Sequence, residues 1–323
     1  MHPRLNPVST AKPENMNLLL SFLKLVRFSN LVIVALTQYL LQYLVLLPAL
    51  REAGLPPILD GLHFFLLVLA TVLIAAGGYL INDILDYESD LINKPDLVFV
   101  NRVFSTQTVW TSYLASILIG FAIAWYLALY VHNLPLVLIY PAAVLSLFFY
   151  SKKLKKIPFW GNLVVALFCA FVAGIVLFAE RENFLRMGEP GRVVQVLFGG
   201  YLLFAFLSTL LREIVKDLED MEGDAKLGLR TLPLAYGEKA ALHWALGAGF
   251  LLLASLLVFL YWLWIREAYL GFAFAVVAVV LPLGYCLAFL AKSRSKTQYK
   301  RASTLAKLVM LTGLILLVIC TFA

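Results

Sequence analysis

Apolar runs of about 17 to 25 residues dominate this chain, and they limit the folds that are open to it. Hydrophobic residues make up 62% of the 323 residues, charged residues only 14%, and the mean hydropathy is +0.90. Inside a bilayer every backbone polar group must be paired within the protein, so runs of this length form helices. The sequence therefore predicts an all-α, polytopic membrane bundle. Its nine transmembrane helices are expected near residues 28–50, 62–82, 108–130, 134–150, 160–179, 193–211, 239–264, 268–290 and 303–322.

Lysine and arginine are distributed unevenly between the connecting segments. With nine spans and a cytoplasmic N-terminus, 20 of the 26 cationic residues fall in cytoplasmic segments and five fall in outer loops. Short cytoplasmic loops carry such an excess, so the pattern predicts this orientation. It also places the segments after the second and sixth spans on the same, cytoplasmic side. We expect residues 1–15, which are polar and contain three prolines, to form a disordered cytoplasmic tail, and residues 16–323 to form one membrane domain.

Two acidic clusters follow the second and the sixth spans. Each cluster holds three aspartates at positions i, i+3 and i+7, which share one face of a helix. They are Asp83, Asp86 and Asp90 in NDILDYESD, and Asp217, Asp220 and Asp224 in DLEDMEGD. Like charges at this spacing repel, so a cationic partner is required. Oxygen-only ligands suit a hard divalent ion such as Mg²⁺, which binds carboxylates together with substrate phosphates. The two clusters therefore predict two halves of one diphosphate and metal site.

These residues resemble the signatures of the UbiA-type intramembrane prenyltransferases. NDILDYESD is similar to the NDxxDxxxD motif of that family, and DLEDMEGD, followed by LGLRTLP, is similar to its second Asp-rich motif. The resemblance covers most of the chain and implies nine helices around a central cavity that is capped on the cytoplasmic side. It also implies that the six aspartates, together with Asn82, hold two Mg²⁺ ions that bridge to an allylic diphosphate.

The same resemblance implies which polar residues contact the diphosphate. RFSN resembles the RPxN element of the family's first helix but lacks its proline, and INKPDLVFVNR stands where the family often reads NRPDRP. YSKKLK stands where the family has its YxxxK element, which leaves open which of these lysines faces the site. The alternative interpretation is that this lysine cluster anchors the cytoplasmic side of the membrane helices. The candidate diphosphate-binding residues are Asn82, Arg27, Asn30, Lys94, Arg102, Tyr150, Lys153, Lys155, Arg212, Lys216, Lys226 and Arg230.

A site of this kind can ionise an isoprenoid diphosphate, because metal ions flanked by Lys and Arg neutralise the charge that develops on the leaving group. The expected activity is Mg²⁺-dependent transfer of a prenyl group, for example geranylgeranyl, from its diphosphate to a small hydrophobic or amphipathic acceptor. LINKPDL and FLKLVRFSNLVIVALTQYL look most similar to bacterial geranylgeranylglyceryl-phosphate geranylgeranyltransferases. A glyceryl-phosphate lipid is therefore the expected acceptor, and the bacterial inner membrane is the expected location.

Two other functions fit parts of the pattern. Prenylation of an aromatic quinone precursor, a hydroxybenzoate or naphthoate, needs the same diphosphate chemistry. An ion-coupled transporter can also carry intramembrane carboxylates in repeated helices, here 1 to 4 and 5 to 8. Against the transporter, the clusters lie at helix ends, and proline does not break the spans that carry them. The net charge of +7 indicates contact with membrane lipids rather than nucleic acid, since the sequence has no nucleic-acid-binding motif.

Overall fold

The computed structural model describes residues 17–93 and 95–321, and the expected tail at residues 1–15 lies outside the described residues. The described residues form helices and loops without a β-strand. The α-helices are α1 Leu18–Leu25, α2 Phe28–Leu40, α3 Leu47–Glu52, α4 Gly61–Leu85, α5 Tyr87–Asn93, α6 Thr106–Tyr130, α7 Ile139–Lys152, α8 Trp160–Ala179, α9 Arg181–Arg186, α10 Glu189–Lys226, α11 Leu232–Tyr236, α12 Glu238–Ile265, α13 Tyr269–Phe274, α14 Leu281–Ala291 and α15 Lys296–Cys320. Short 3₁₀ turns lie at Pro95–Leu97, Leu134–Leu138 and Leu154–Lys156.

Nine helical segments in this described part are long and apolar enough to cross a membrane. They are Phe28–Glu52, Gly61–Leu85, Thr106–Tyr130, Leu134–Lys156, Trp160–Ala179, Glu189–Lys226, Glu238–Ile265, Tyr269–Ala291 and Lys296–Cys320. The predictions of an all-α fold and of nine spans are therefore confirmed. The largest difference is at the sixth span, where α10 has 38 residues and continues far beyond the expected end at residue 211.

Two turns of π-helix interrupt the membrane helices, and a proline follows each of them. The turns are Leu41–Leu46, followed by Pro48, and Ala275–Val280, followed by Pro282. Proline has no N–H, and its ring clashes with the carbonyl four residues earlier, so the preceding turn widens. Accordingly, the N–H of Leu47 donates to the carbonyl five residues before it, that of Gln42. The helical path therefore continues through both prolines instead of ending at them.

The chain divides into two compact units. Within the described residues, the first unit comprises residues 17–32 together with Leu69–Ser151, and it therefore contains most of α4 and all of α5 and α6. Its buried core is built from apolar side chains of α1, α4 and α6, among them Leu25, Leu80 and Val109. This core positions the first aspartate cluster, which lies at the end of α4.

The second unit comprises Ile33–Val68 and the chain from Lys152 onward. Its central element is α10, which packs against α8, α12 and α15. Leu211, Ile214 and Leu218 of α10 are at most 2% exposed and belong to one continuous core. Because α10 also carries the second aspartate cluster, the best-packed helix of this unit positions those carboxylates. The expected single domain over residues 16–323 stays a prediction.

Gly161 allows the first turn of α8 to approach the turn Leu154–Lys156 closely. A Cβ at this position would lie 2.8 Å from the backbone Cα of Lys155. Backbone atoms cannot swing aside as a flexible side chain can, so any larger residue must displace the turn. The glycine therefore fixes where the lysine turn lies against α8.

We expect Gly161→Ala to lower the free energy of unfolding by about 1–3 kcal/mol, because the added methyl overpacks a backbone contact. Gly247→Ala is the matched control, since nothing lies within 4 Å of a Cβ at that position in α12. This control should be neutral or stabilising by up to about 1 kcal/mol, the usual gain of alanine over glycine in a helix. Thermal unfolding in detergent measures both variants, and equal effects would contradict the close approach.

Candidate active site

The first aspartate cluster lies where α4 ends and α5 begins. Asp83 is in the last turn of α4, Asp86 is the single residue between the two helices, and Asp90 is in α5. Helical hydrogen bonds bridge the break: the N–H of Asp86 donates to the carbonyl of Asn82, and that of Asp90 to Asp86, each at 2.8 Å. The three aspartates, which the sequence predicts on one face of one helix, thus lie along two successive helices and the single residue that separates them.

Arg27 is paired with this cluster. Its Nη2 donates to Oδ1 of Asp83 at 2.7 Å, and the Asp83 side chain is only 14% exposed. The guanidinium carbon also lies 4.6 Å from the centre of the Tyr79 ring, a cation–π contact. Asn30 Nδ2 donates to the Tyr79 hydroxyl at 3.3 Å, so both candidates from RFSN meet the same tyrosine. Tyr79 was not among the sequence candidates, although it lies four residues before Asp83 and hence on the same helix face.

The backbone at Arg27 is unusual. This residue lies at the break between α1 and α2 and has a φ of +50°, in the left-handed region that favours glycine. Such a conformation costs free energy and persists where surrounding contacts determine it. The bond to Asp83 and the contact with Tyr79 supply those contacts.

The second cluster lies on one uninterrupted helix, the C-terminal part of α10. Asp217 and Asp220 are partly buried, and Asp224 is 7% exposed. Asn162, in the first turn of α8, donates from Nδ2 to Oδ2 of Asp217 at 2.9 Å. Asn162 is itself 7% exposed, so this hydrogen bond lies in the interior of the second unit. Sequence reasoning missed Asn162, because a lone polar residue at the start of an apolar span carries no periodic signal.

Two of the cationic candidates lie immediately before this cluster on α10. Arg212 Nη1 donates to Oε1 of Glu213 at 2.7 Å, and both side chains are largely buried. Lys216 is partly buried and directly precedes Asp217 in the chain. Arg212 therefore already has a carboxylate partner, and its guanidinium must share its hydrogen bonds with any further anion.

The remaining candidates of the first unit lie in connecting segments or near a helix end. Arg102 is in the loop before α6, where its Nη1 donates to the carbonyl of Pro95 at 2.6 Å. Tyr150 lies in the last turn of α7 and is partly buried. Lys94 lies outside the described residues.

In the second unit, the candidates are two lysines of the Leu154–Lys156 region and two residues at the end of α10. Lys153 is exposed, whereas Lys155 is partly buried and its backbone is the one that Gly161 accommodates. Lys226 is the last residue of α10, Arg230 follows four residues later, and both are exposed.

The donor set of the two clusters fits Mg²⁺. Within the residues that the structure describes, no group of three or more His, Cys, Asp or Glu side chains converges tightly enough to enclose a metal ion by itself. Mg²⁺ does not need such an enclosure, because it is usually bound by one or two carboxylates and keeps waters or substrate phosphates in its other positions. Oxygen donors on helix faces are therefore a suitable partial shell.

Comparison with known proteins assigns the family. Residues 40–311 match the UbiA prenyltransferase family. The chain belongs to the UbiA prenyltransferase family. It is an integral membrane enzyme that transfers prenyl groups, so the predictions of family, fold and enzyme class are confirmed, and the family assignment favours the enzyme over a transporter.

A curated relative is the digeranylgeranylglyceryl phosphate synthase of Thermococcus kodakarensis, which is 35% identical over 207 residues, 64% of this chain and 67% of that protein. Matches to further archaeal proteins of that name cover 54% to 60% of their lengths. These relatives are archaeal, so the bacterial origin stays a prediction.

Two solved structures show the same fold. One concerns a digeranylgeranylglyceryl phosphate synthase in membranes, at 24% identity and a TM-score of 0.62, covering 95% of this chain and 99% of that chain. The other is a UbiA homologue from Archaeoglobus fulgidus bound to DMAPP and Mg²⁺, at 18% identity and a TM-score of 0.52, covering 92% and 99%. At these identities the similarity supports the fold alone.

We expect a double-mutant cycle of Arg27→Gln and Asp83→Asn to give a coupling free energy of about 1 kcal/mol, because the pair is only partly exposed. The matched control is the pair Arg192 and Glu189, whose side chains are 73% and 76% exposed at 3.1 Å. Substituting both with Gln should give coupling near zero. Unfolding in detergent measures each corner of the two cycles. Equal coupling free energies in the two cycles would show that the bond between Arg27 and Asp83 is no stronger than an exposed surface ion pair.

Proposed function

We propose that this protein transfers a prenyl group from an isoprenoid diphosphate to the hydroxyl of a glyceryl-phosphate lipid in an Mg²⁺-dependent reaction. The observation that carries the proposal is the presence of two carboxylate clusters, one beside Arg27 and one beside Asn162. They occur in a chain that is 35% identical over 207 residues to a digeranylgeranylglyceryl phosphate synthase. The name of that relative describes a product with two geranylgeranyl chains on glyceryl phosphate. A geranylgeranyl donor and a glyceryl-phosphate acceptor that already carries one chain follow from it.

Asp83, Asp86 and Asp90 of the first cluster, and Asp217, Asp220 and Asp224 of the second, would supply the carboxylates for two Mg²⁺ ions. Each ion would take one or two of them and complete its shell with diphosphate oxygens and water. The UbiA homologue from Archaeoglobus fulgidus, which is bound to DMAPP and Mg²⁺, supports an isoprenoid diphosphate as donor and Mg²⁺ as the metal. The bound ions would supply positive charge to the departing diphosphate.

Residues of the chain bind and orient the donor. Arg27 lies beside the first cluster and offers further N–H donors to diphosphate oxygens, since a guanidinium has five and the bond to Asp83 uses one of them. Arg102, Lys153 and Lys155 are the other proposed contacts. The hydrogen bond from Asn162 holds the Asp217 carboxylate in one orientation, so this side chain is preorganised to bind a metal ion.

The reaction balances without a redox partner. The bond between the allylic carbon and the diphosphate oxygen breaks, and the diphosphate leaves with the electron pair. The acceptor hydroxyl oxygen forms the new ether bond to that carbon and releases its proton. Positive charge placed beforehand around the leaving group is the main contribution of the protein to this step.

Purified protein should transfer the geranylgeranyl group to geranylgeranylglyceryl phosphate when Mg²⁺ is present, and EDTA should abolish the transfer. Product formation is measured by chromatography and mass spectrometry, with 4-hydroxybenzoate and 1,4-dihydroxy-2-naphthoate as parallel acceptors. We expect no prenylated aromatic product. Prenylation of an aromatic acceptor in place of the lipid would replace this proposal with the quinone-precursor function.

The same assay tests the metal residues. Asp86→Ala and Asp220→Ala should each lower turnover by about 10²-fold or more, the scale seen when a charge-stabilising group is lost. Glu189→Ala, which removes an exposed carboxylate from the same helix as Asp220, should keep normal turnover. Near-normal turnover in both aspartate variants would contradict the proposal that the two clusters form the metal site.

We further propose that the N-terminus and both clusters face the cytoplasm, as the distribution of lysine and arginine indicates. Single cysteines can be placed at the exposed positions Leu97, Lys226 and Arg186 after Cys169, Cys286 and Cys320 are replaced. Membrane-impermeant reagents should label the first two positions only from the cytoplasm and the third only from outside. Labelling of Leu97 and Lys226 from opposite sides would exclude a shared site.

A further inference from the structure

The last hairpin of the protein carries an unbalanced positive charge. Six cationic residues lie between Lys292 and Lys307, and the chain contains no acidic residue after Glu267. All six side chains are exposed, and none forms an ion pair with a carboxylate that the structure describes. Within the described residues, no carboxylate at ion-pair distance balances their charge, so they are available to an external anion.

Four residues of α15 form one polar stripe, which we call the α15 cationic face: Lys296, Lys300, Thr304 and Lys307. Their spacings of four, four and three residues place them on one side of the helix. The opposite side, which includes Tyr299, Ala302 and Ala306, is at most 2% exposed and packs into the core. The α15 cationic face therefore points away from the packed interior of the second unit.

The same side of α15 becomes apolar immediately after Lys307. Leu308, Leu311 and Ile315 are 49%, 36% and 49% exposed. These residues lie in the apolar part of the membrane-length segment Lys296–Cys320. A side that changes from lysine to leucine within one turn matches the boundary between lipid headgroups and hydrocarbon.

Lys307 is the strongest indication that an anion binds beside α15. It lies inside the membrane-length segment, is exposed, and has the exposed Leu308 as its neighbour. A cation at such a position is costly unless its side chain extends toward the headgroups and finds an anion there. Lys300 lies seven residues away, about 10 Å along the helix at 1.5 Å per residue. Two extended lysine side chains from these positions can converge on one phosphate.

The segment that leads into the stripe is held in place by side-chain hydrogen bonds. The N–H of Arg294 donates to Oε1 of Gln298 at 2.7 Å, and the Tyr299 hydroxyl donates to Oε1 of Glu238 at 2.6 Å. The side chain of Ser295 caps α15 by accepting from the N–H of Gln298. Because the backbone is already ordered, a ligand at the stripe meets a preorganised surface.

We propose that the α15 cationic face binds the phosphate headgroup of an anionic bilayer lipid, with a hydrocarbon chain of that lipid lying along Leu308, Leu311 and Ile315. The ligand needs both parts, since the phosphate matches the lysines and the chain matches the exposed leucines and isoleucine. A resident bilayer lipid fits better than the substrate, because no residue proposed for the reaction lies on α15. The protein is therefore stabilised by the charge of the membrane around it.

The test is a titration of phosphatidylglycerol into the purified protein in neutral detergent, with thermal stability as the readout. Wild-type protein should be stabilised with a defined midpoint concentration. Lys300→Gln combined with Lys307→Gln should raise that midpoint by about 25-fold, from a loss of about fivefold for each lysine. Native mass spectrometry should show an anionic lipid retained by the wild type and lost by this variant.

The control variant combines Lys156→Gln with Lys239→Gln, which removes the same charge from two other exposed lysines of the second unit. It should keep the wild-type midpoint, and so should Lys300→Arg with Lys307→Arg, which retains the charge and guards against a folding defect. Phosphatidylcholine and inorganic phosphate should each have little effect. An equal loss in the control, or full stabilisation by inorganic phosphate alone, would overturn the proposal.

Discussion

The free-energy cost of removing a carboxylate from water is the constraint that decides how the buried acidic side chains of this protein are partnered. Within the described residues of the second unit, Glu180 is 1% exposed and accepts hydrogen bonds from the N–H groups of Ile58 and Leu59 and from Asn183. That carboxylate is saturated and holds a loop. Asp83 and Asp217, by contrast, each accept one side-chain hydrogen bond, from Arg27 and Asn162. Their remaining lone pairs suit them to a metal ion, which is the difference expected between a structural and a functional carboxylate.

The packing around α10 explains how the second cluster is kept in position. The buried segment of this helix continues without interruption into the turns that carry the aspartates, so packing of the core also fixes the backbone of these residues. Asn162 lies one residue after Gly161, the residue that lets α8 approach the lysine turn. A single close contact therefore positions both the partner of Asp217 and the backbone of Lys155. Sites built on rigid elements in this way hold their geometry better than sites built on loops.

Charge also governs the exterior of the helices. Lysines beside lipid-facing leucines on α15 and the ion pair of Arg27 with Asp83 follow the same rule, since each charge needs a partner where water is scarce. For Arg27 and Asp83 the partner comes from the chain itself. On the α15 cationic face it comes from the membrane.

The sequence by itself determined the number of spans and the spacing of the aspartates, because hydropathy and helical periodicity are local properties that need no tertiary contact. It also marked Arg27 and Asn30. Only the tertiary structure decided that a one-residue break falls at Asp86, that Asn162 bonds Asp217 and that Arg212 is paired with Glu213. Tyr79 lay within reach of a periodicity argument, whereas Asn162 did not. Its contact joins residues 55 positions apart, and such a contact exists only once two helices have packed together.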